Sequence, residues 1–345
     1  MMRERGRRER VAGVLGSLNM LEPLGSLRAL MRSELPILAY HRVIDMGPET
    51  EFPFDPELVS ATPADFREQM KYVATHFDVV TFRDVLRYID GEASLPARPI
   101  IVTFDDGYLD NYTYAFPILR ELGLPATIFV STGYVGARDT FWYDQLAYTI
   151  YRAAAGTFVL GTVRFELGDV ASRRRAAADA IRFLRGVPDP VRRAHLVRLS
   201  ERPDYGIRDE DSALSCPMGW SQIAELHEAG IEIASHTVSH PALSQCDDET
   251  LAFELRESRR ELESRLGIPV EVVAYPFGGP GEYDGRVMRA AAASGYRLAA
   301  SYISGRNPFS NLVAHELRRL HVERYTDLPT LASMLQLPRL FAEAV

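Results

Sequence analysis

Two adjacent carboxylates at the end of a short apolar run are the first feature that suggests chemistry. The run Ile100–Phe104 is rich in β-branched residues and continuous, which is typical of a strand buried on both faces of a parallel sheet. Asp105 and Asp106 follow it directly, and Gly107 then turns the chain. Because an unpaired carboxylate is costly to desolvate, charges at such a strand tip need a partner. A metal ion, an arginine or, in an exposed turn, water would each provide one.

A second strand tip contains two histidines at metal-ligand spacing. The stretch Ile231–Ser235 leads into His236, and His240 follows four positions later. This spacing places both imidazoles on one side of a single helical turn, which suits two ligands of one divalent ion. A lone histidine is more often a satisfied core or surface residue. Two histidines at this spacing, together with the aspartate pair, predict a metal site.

Four motifs of the chain resemble those of the polysaccharide deacetylases, the NodB-homology enzymes of carbohydrate esterase family 4. Thr103–Gly107 and His236–His240 resemble the first two motifs, and Ala274–Gly278 resembles the third. Leu38–His41 resembles a segment of the exopolysaccharide (poly-N-acetylglucosamine) deacetylase branch, in which the histidine motif precedes the aspartate pair. The resemblance extends over most of the chain, from near residue 35 to near residue 325.

The order of predicted strands and helices gives an independent indication of the fold. Strands and helices alternate about seven times, which is typical of a parallel α/β sheet or barrel. In such barrels the chemistry lies at the carboxyl ends of the strands. The candidate residues that directly follow predicted strands are His41, Asp105, Asp106, His236, His240 and Phe277. The resemblance implies a distorted (β/α)7 barrel of the NodB-homology type.

The chain divides into three predicted parts and one insertion. Residues 1–34 form a basic N-terminal extension, residues 35–330 form the deacetylase barrel, and residues 331–345 form a C-terminal tail. Residues 138–215 interrupt the alternation and predict a mainly helical insertion. Nine of its arginines fall in residues 173–202. They form either a solvated helix face that covers one side of the barrel, or a lid or binding surface for an anionic polymer.

Composition and charge limit the class of protein. The 345 residues are 46% hydrophobic and 25% charged, which is ordinary for a soluble globular protein. The net charge of −8 argues against general nucleic-acid binding, which requires a basic footprint. The two cysteines, Cys216 and Cys246, form neither a C-x-x-C pair nor a zinc-finger pattern. They are typical of free thiols in a reducing compartment.

The N-terminal extension lacks the pattern of a signal peptide. A signal peptide would place at least about seven uninterrupted apolar residues after the basic start. Here the basic stretch Met1–Arg10 is followed by Val11–Met20, which Gly, Ser and Asn interrupt. We therefore predict a cytoplasmic protein. Residues 20–32 are weakly amphipathic, so a weak contact of the basic N-terminus with an anionic membrane surface is the alternative. The sequence does not indicate an oligomeric state.

Each motif residue can be given a role in the hydrolysis of an acetamide. The reaction needs a nucleophilic water, a stabiliser of the tetrahedral oxyanion and a proton for the departing amine. A bound Zn²⁺ lowers the pKa of its water to about 7 and polarises the carbonyl. The resemblance implies that Asp105 is the base and that the backbone N–H of Phe277 contacts the oxyanion. It implies as metal ligands Asp106, His236 and His240. We expect Zn²⁺, with Co²⁺, Ni²⁺ or Mn²⁺ as alternatives.

The proton donor and the sugar-binding residues are predicted less directly. The resemblance implies His41 as the general acid, with a buried packing histidine as the alternative. His315 and His321 are rival donors near the C-terminus, although their sequence surroundings match the family's C-terminal motif poorly. The predicted substrate-binding residues are Tyr275, Pro276, Trp142 and Asp144. For the last two, a core aromatic residue and a surface acid are the alternative.

One position departs from the family pattern. Many members have an arginine two residues before the third-motif proline, where it orients the base, and Ala274 occupies that place here. The exopolysaccharide branch also tends to lack this arginine. Asp105 is therefore left without an assigned cation. Arg319, on the last predicted strand, is the candidate replacement.

The predicted function is a metal-dependent hydrolase that removes N-acetyl groups from amino-sugar residues of a poly- or oligosaccharide. Its partner is then an N-acetylated glycan. One alternative is a deacetylase of a small N-acetylated metabolite or of another amide. The other is a carbohydrate-binding pseudo-enzyme on the same barrel. The presence of both the base and the ligands argues against the pseudo-enzyme, because a binding protein does not need the base.

Overall fold

A computed structural model describes residues 34–137 and 140–337. The predicted N-terminal extension up to residue 33, with its membrane contact, lies outside the described residues, as does the end of the predicted tail. The strands are, in chain order, β1 (Glu34–Leu35), β2 (Ile37–Tyr40), β3 (Arg42–Val43), β4 (Val59–Ala61), β5 (Asp78–Val79), β6 (Pro99–Phe104), β7 (Thr127–Val130), β8 (Gly156–Leu160), β9 (Val163–Leu167), β10 (Glu232–Ser235), β11 (Val272–Ala274), β12 (Leu298–Ser304), β13 (Asn307–Pro308) and β14 (Leu317–His321). The α-helices of the same residues are α1 (Pro63–His76), α2 (Phe82–Ile89), α3 (Phe116–Leu122), α4 (Trp142–Arg152), α5 (Val170–Arg185), α6 (Asp189–Ser200), α7 (Asp209–Ser212), α8 (Trp220–Glu228), α9 (Asp248–Leu266), α10 (Gly285–Ala293) and α11 (Leu328–Gln336).

Seven parallel strands close into a barrel. Around the ring they follow the order β2, β6, β7, β10, β11, β12 and β14, and β14 pairs back to β2. At the closure, Leu320 lies opposite Leu38. The short strand β5 pairs with the first two residues of β6. The closed ring confirms the (β/α)7 barrel that the resemblance implies.

The strands are short apolar runs because both of their faces are buried. All six residues of β6 and all four of β2 are buried. Since successive side chains of a strand point to opposite faces, the two strands contribute to two apolar layers. Ile37 and Ile101 belong to one layer. Leu38 and Val102 belong to the other, which packs against helix residues such as Phe66. This double burial accounts for the continuous, non-alternating hydrophobic pattern.

Local sequence signals set several helix boundaries. Thr62 caps α1 by accepting a hydrogen bond from the backbone N–H of Asp65. Thr81 and Asp84 form a capping box at the start of α2. Gly267 ends α9 in the left-handed conformation, with φ of 69°. These boundaries are therefore set by residues within one turn of each helix end.

The segment between β7 and α8 interrupts the strand–helix alternation. It contains α4 to α7 and the antiparallel hairpin β8–β9, in which Phe158 lies opposite Phe165. Its apolar core joins Trp142 and Leu184 to Tyr108, which directly follows the aspartate-pair turn. The inserted segment therefore packs against the end of the barrel where the motif residues lie. The bounds of the predicted domains remain predictions.

The last described helix crosses a predicted boundary. α11 continues past residue 330, where we predicted the end of the barrel domain. Leu331 and Leu335 join the outer apolar layer of the barrel. Within residues 34–137 and 140–337, no helix combines the length and the hydrophobicity needed to span a bilayer. The cytoplasmic location remains a prediction.

Candidate active site

The predicted site residues lie together at one rim of the barrel. Asp105 and Asp106 follow β6, and His236 follows β10. His41 follows β2, and Phe277 comes three residues after β11. Because all seven strands are parallel, their carboxyl ends meet at the same rim. The closed barrel therefore brings together residues that are far apart in sequence.

Three side chains converge as a possible metal centre. The Nε2 atoms of His236 and His240 lie 3.4 and 3.1 Å from the same Asp106 oxygen, Oδ1. The potential ligand atoms of the three residues all lie within 4.8 Å of one another, and all three residues are buried. Two imidazole nitrogens and one carboxylate oxygen form a donor set that suits a catalytic zinc-type site with an open position.

The hydrogen bonds around this centre leave its ligand atoms available. His236 Nδ1 lies 2.8 Å from the carbonyl oxygen of Ala274, which favours a proton on Nδ1 and a free lone pair on Nε2. Asp106 Oδ1 is buried and has no hydrogen-bond partner among the described residues. Burial lowers the pKa of His240 to about 4, so its imidazole is neutral at pH 7. A buried acceptor without a donor, beside two imidazole nitrogens, fits a divalent cation.

Unusual backbone conformations are concentrated at this site. Over the described ranges, the non-glycine residues with positive φ are Asp106 (74°), Thr237 (67°), His240 (52°) and Phe277 (59°). Side chains disfavour this region, and such residues persist where the surrounding structure determines the backbone. Two of the three candidate ligands and the predicted oxyanion residue are therefore held in a backbone conformation that few non-glycine residues adopt.

Arg319 supplies the cation that the Ala274 position does not. Its Nη1 and Nη2 lie 2.7 and 2.8 Å from Oδ1 and Oδ2 of Asp105, and both side chains are buried. The Nε of Arg319 donates to the carbonyl of Ser301, which fixes the guanidinium plane. Burial, the largest single effect, would raise the pKa of Asp105, but the charge and the hydrogen bonds of Arg319, with contributions from His236 and His41, together outweigh it and the pKa is lowered. Asp105 is thus an oriented, ionised carboxylate.

His41 lies beside this carboxylate at the more accessible side of the site. Its Nε2 is 3.8 Å from Asp105 Oδ2, and its side chain is 18% exposed. The backbone N–H of His41 donates to Ser60 Oγ, and its carbonyl accepts from Asn111 Nδ2. The ring also contacts Tyr302 edge-on, at 5.3 Å between centroids. Hydrogen bonds therefore fix the backbone of His41, while solvent can still reach its side chain.

The two rival histidines occupy different places. His315 Nε2 lies 3.0 Å from the carbonyl oxygen of Tyr296, which precedes β12 and so lies at the opposite end of the barrel. His321 lies at the rim, where its ring stacks on Tyr302 with centroids 3.6 Å apart. Burial lowers the pKa of His321 to about 3, which makes it a poor proton donor near neutral pH. This geometry favours His41 over both rivals.

The predicted substrate-binding residues are buried rather than exposed in a groove. Tyr275 stacks on Tyr283 and donates to the His315 carbonyl, so its hydroxyl is directed away from the rim. Pro276 is also buried. Trp142 is 4% exposed, and its Nε1 donates to the carbonyl of His240, as the alternative of a core aromatic anticipated.

Asp144 is neither a sugar ligand at an open groove nor a surface acid. Its carboxylate is fully buried and accepts hydrogen bonds from the hydroxyls of Tyr108 and Ser215. Burial raises the pKa of Asp144 to about 6. The helical periodicity of α4 turns this side chain into the core, which residue type alone did not reveal.

Several residues at the site were not predicted. The guanidinium carbon of Arg185, at the end of α5, lies 4.2 Å from the Phe277 ring centroid, and Arg185 pairs with Glu282. The backbone N–H of Tyr302 donates to the carbonyl of Gly278, where a Cβ would lie 2.6 Å from that nitrogen. The arginine-rich run was a signal for Arg185, whereas Tyr302 has no motif signal.

The predicted oxyanion donor is available. None of the described residues accepts a hydrogen bond from the backbone N–H of Phe277. The ring of Phe277 lies 4.7 Å from the His240 ring, measured between centroids. A backbone N–H without an acceptor, on a residue whose ring contacts a candidate ligand, is consistent with stabilisation of an oxyanion.

Comparison with known proteins agrees with this geometry. A family model described as polysaccharide deacetylase matches residues 92–299. The chain is 20% identical over 270 residues to the "Putative polysaccharide deacetylase YxkH" of Bacillus subtilis, covering 78% of this chain and 64% of that protein. It is 28% identical over 109 residues to the poly-beta-1,6-N-acetyl-D-glucosamine N-deacetylase of Staphylococcus epidermidis, covering 30% of this chain and 37% of that protein. The chain thus spans less than two thirds of the length of either relative.

A solved structure supports the fold. The Streptococcus pyogenes deacetylase PplD, in complex with acetate, matches with a TM-score of 0.59 at 19% identity, over 89% of this chain and 99% of that chain. At this identity the likeness concerns the fold. The family model, in contrast, covers more than half of the sequence and includes the aspartate pair, both histidines and the third motif. The chain therefore belongs to the polysaccharide deacetylase family.

Proposed function

We propose that this protein is a metal-dependent hydrolase that removes N-acetyl groups from amino-sugar residues of a poly- or oligosaccharide. The observation that supports this most directly is the pairing of two different carboxylate environments at one rim. Asp106 faces the imidazoles of His236 and His240, whereas Asp105 is held by Arg319. The first environment suits a metal ligand and the second a base. A carbohydrate-binding protein would need neither.

The proposed metal site consists of Asp106, His236 and His240. We propose Zn²⁺, because two imidazoles and one carboxylate with an open position are typical of catalytic zinc, and Co²⁺, Ni²⁺ or Mn²⁺ are alternatives. When bound, the metal would lower the pKa of a water to near 7 and polarise the acetyl carbonyl. The residues around it then have to move protons and stabilise charge.

Asp105 is the proposed base. Arg319 engages both of its oxygens, so the carboxylate has one orientation and stays ionised at neutral pH. A lowered pKa weakens a base, but it ensures that the carboxylate is ready to accept a proton from the attacking water. The backbone N–H of Phe277 would donate to the oxyanion, and loss of one such donor typically costs about 3–4 kcal/mol in transition-state stabilisation.

His41 is the proposed general acid for the departing amine. It is partly exposed, and its Nε2 lies 3.8 Å from Asp105 Oδ2. The nearest rival, His321, has a pKa lowered to about 3 and stacks on Tyr302. Proton donation of this kind contributes about 10²–10⁴-fold in rate.

The choice of a glycan substrate draws on two observations. Leu38–His41 precedes the aspartate pair, which is the motif order of the exopolysaccharide branch. The Staphylococcus epidermidis relative is named for poly-beta-1,6-N-acetyl-D-glucosamine, although the match covers 37% of that protein. We propose an N-acetylated exopolysaccharide or its fragments as the substrate class.

Acetate release from a panel of substrates tests this function. The panel should contain N-acetylated oligosaccharides of different linkages and small N-acetylated metabolites, each assayed with the metal-loaded and the chelator-treated protein. We expect release from the glycans that chelator abolishes and added Zn²⁺ restores, with Asp105→Asn as the inactive control. Release from small metabolites alone would replace the glycan proposal, and release that chelator leaves unchanged would refute metal dependence.

A further inference from the structure

The loop His236–His240 is hydrogen-bonded along its whole carbonyl side. Each of its five carbonyls accepts a hydrogen bond from the segment that follows β7. The donors and their carbonyls are Ser131 Oγ to His236 (3.0 Å), Thr132 N to Thr237 (3.0 Å), Gly133 N to Val238 (2.9 Å), Tyr134 Oη to Ser239 (3.5 Å) and Trp142 Nε1 to His240 (3.1 Å). Residues 131–134 and Trp142 of α4 therefore fix the carbonyl side of the loop.

Glu254 binds the opposite side of the same loop. From the middle of α9, its Oε2 accepts hydrogen bonds from the backbone N–H groups of Val238 and Ser239, at 2.8 and 2.9 Å. Its Oε1 accepts from the hydroxyl of Ser239 at 2.6 Å. The side chain of Glu254 is fully buried, and the nearest cation is Arg193 of the inserted segment, 3.8 Å away. Hydrogen bonds to a buried carboxylate are among the stronger kinds.

The loop needs such support because its backbone conformation is unfavourable. Thr237 and His240 both have positive φ, at 67° and 52°. Such a backbone relaxes unless hydrogen bonds and packing hold it. Without Glu254, the N–H groups of Val238 and Ser239 would be left without their acceptor inside the protein. The loop would then lose the bonds that fix its centre, midway between the two histidines.

We infer that Glu254 is a positioning residue of the metal site. By holding the centre of the loop, its carboxylate aligns the Nε2 atoms of His236 and His240 on Asp106. This inference rests on the proposed metal dependence and concerns affinity for the metal rather than the identity of the substrate. Partners that orient metal ligands typically contribute about 10–100-fold to metal affinity.

Glu232 provides a matched control at the other end of the same strand. It accepts hydrogen bonds from the backbone N–H groups of Phe82 and Arg83, both at 2.9 Å, and from the hydroxyl of Thr127 at 2.6 Å. Glu232 begins β10 and His236 follows its end, so the control lies roughly 13 Å from the loop. Each glutamate thus accepts hydrogen bonds from two backbone N–H groups and one hydroxyl, but only Glu254 contacts the loop His236–His240.

The test measures Zn²⁺ affinity by competition with a chromophoric chelator, and thermal stability in parallel. We expect Glu254→Ala to weaken Zn²⁺ binding by at least about tenfold. Glu254→Gln, which can still accept from both N–H groups, should restore affinity to within about threefold of wild type. Glu232→Ala should lower the melting temperature about as much as Glu254→Ala does, and leave Zn²⁺ affinity within about threefold of wild type.

Hydrogen exchange of the metal-free protein provides a second readout. The amides of Val238 and Ser239 should exchange faster in Glu254→Ala and at the wild-type rate in Glu232→Ala. If Glu254→Ala does not fold, Glu254→Asp serves instead, because its shorter side chain cannot reach both N–H groups.

Distinct outcomes separate this inference from the proposed function. Wild-type affinity in Glu254→Ala, or equal losses in Glu254→Ala and Glu232→Ala, would overturn the positioning role. A wild-type protein that binds no Zn²⁺ would overturn it as well. A loss of Zn²⁺ affinity in Glu254→Ala but not in Glu232→Ala supports the inference even if no glycan releases acetate. In that case only the proposed substrate is refuted.

Discussion

The buried pair of Arg319 and Asp105 supports a quantitative prediction. Arg319→Met removes the guanidinium and leaves the Asp105 carboxylate buried with no cation bonded to it. The pair makes two hydrogen bonds of 2.7 and 2.8 Å, and hydrogen bonds to charged groups contribute roughly 1.5–3 kcal/mol each. Removal of one partner of a buried pair typically costs about 3–5 kcal/mol. We expect a loss of that size in the free energy of unfolding.

A double-mutant cycle distinguishes this pair from general damage to the core. Asp105→Asn alone leaves Arg319 buried without its carboxylate and should also destabilise the protein. In the double variant both charges are absent, so the loss should be smaller than the sum of the single losses by about 3 kcal/mol. Urea denaturation at pH 7 measures all four free energies.

Additive losses would refute the reasoning, because they would mean that the two side chains do not stabilise each other in solution. Arg319→Lys serves as a further control, since it keeps the charge but cannot engage both oxygens at once. We expect Arg319→Lys to recover part of the stability and to turn over more slowly than wild type. Full activity in Arg319→Lys would show that orientation of Asp105 by the guanidinium is unimportant.

Three further predictions concern the metal ligands, the proton donor and a buried acid. Metal analysis should find no bound metal in Asp106→Ala, His236→Ala and His240→Ala. Asp105→Asn should keep the metal and lose turnover, and the reverse pattern would exchange the roles of the two aspartates. His41→Ala should keep the metal and lose about 10²–10⁴-fold in glycan turnover, with a smaller loss on an activated aryl acetate ester; equal losses would indicate a packing role. Since burial raises the pKa of Asp144 to about 6, the folded state binds its proton more tightly than the unfolded chain does, and stability should fall as pH rises from about 4 to 6. Asp144→Asn should remove that fall, about 3 kcal/mol, and an unchanged pH dependence of urea denaturation would contradict the raised pKa.

The positions of the aspartate pair and the histidine pair could be predicted because they depend on local rules. The aspartate pair and the histidine pair each directly follow a short apolar strand, and parallel strands in a closed barrel end at one rim. N-caps such as Thr62 and Thr81 act within one helical turn. These features depend on neighbours in sequence, so residue type and spacing suffice to predict them.

Side-chain directions could not be predicted in the same way. Trp142, Tyr275 and Asp144 lie near the motif residues in sequence or in space, yet all three are buried and hydrogen-bonded within the core. Whether such a residue faces a groove or the core depends on the helix or strand face that packing covers. The pattern of residue types does not specify that face when both sides are apolar.

The amino-acid sequence by itself determined the alternation of strands and helices, the motif residues and their place at strand ends. Only the tertiary structure decided which distant side chains complete the site. Arg319 and Asp105 are separated by 214 positions and meet because β14 closes the barrel beside β2. Glu254 reaches the loop His236–His240 because α9 packs on β10 in one particular orientation. Such contacts depend on register and helix packing, which are set by the summed burial of many residues and by no single motif.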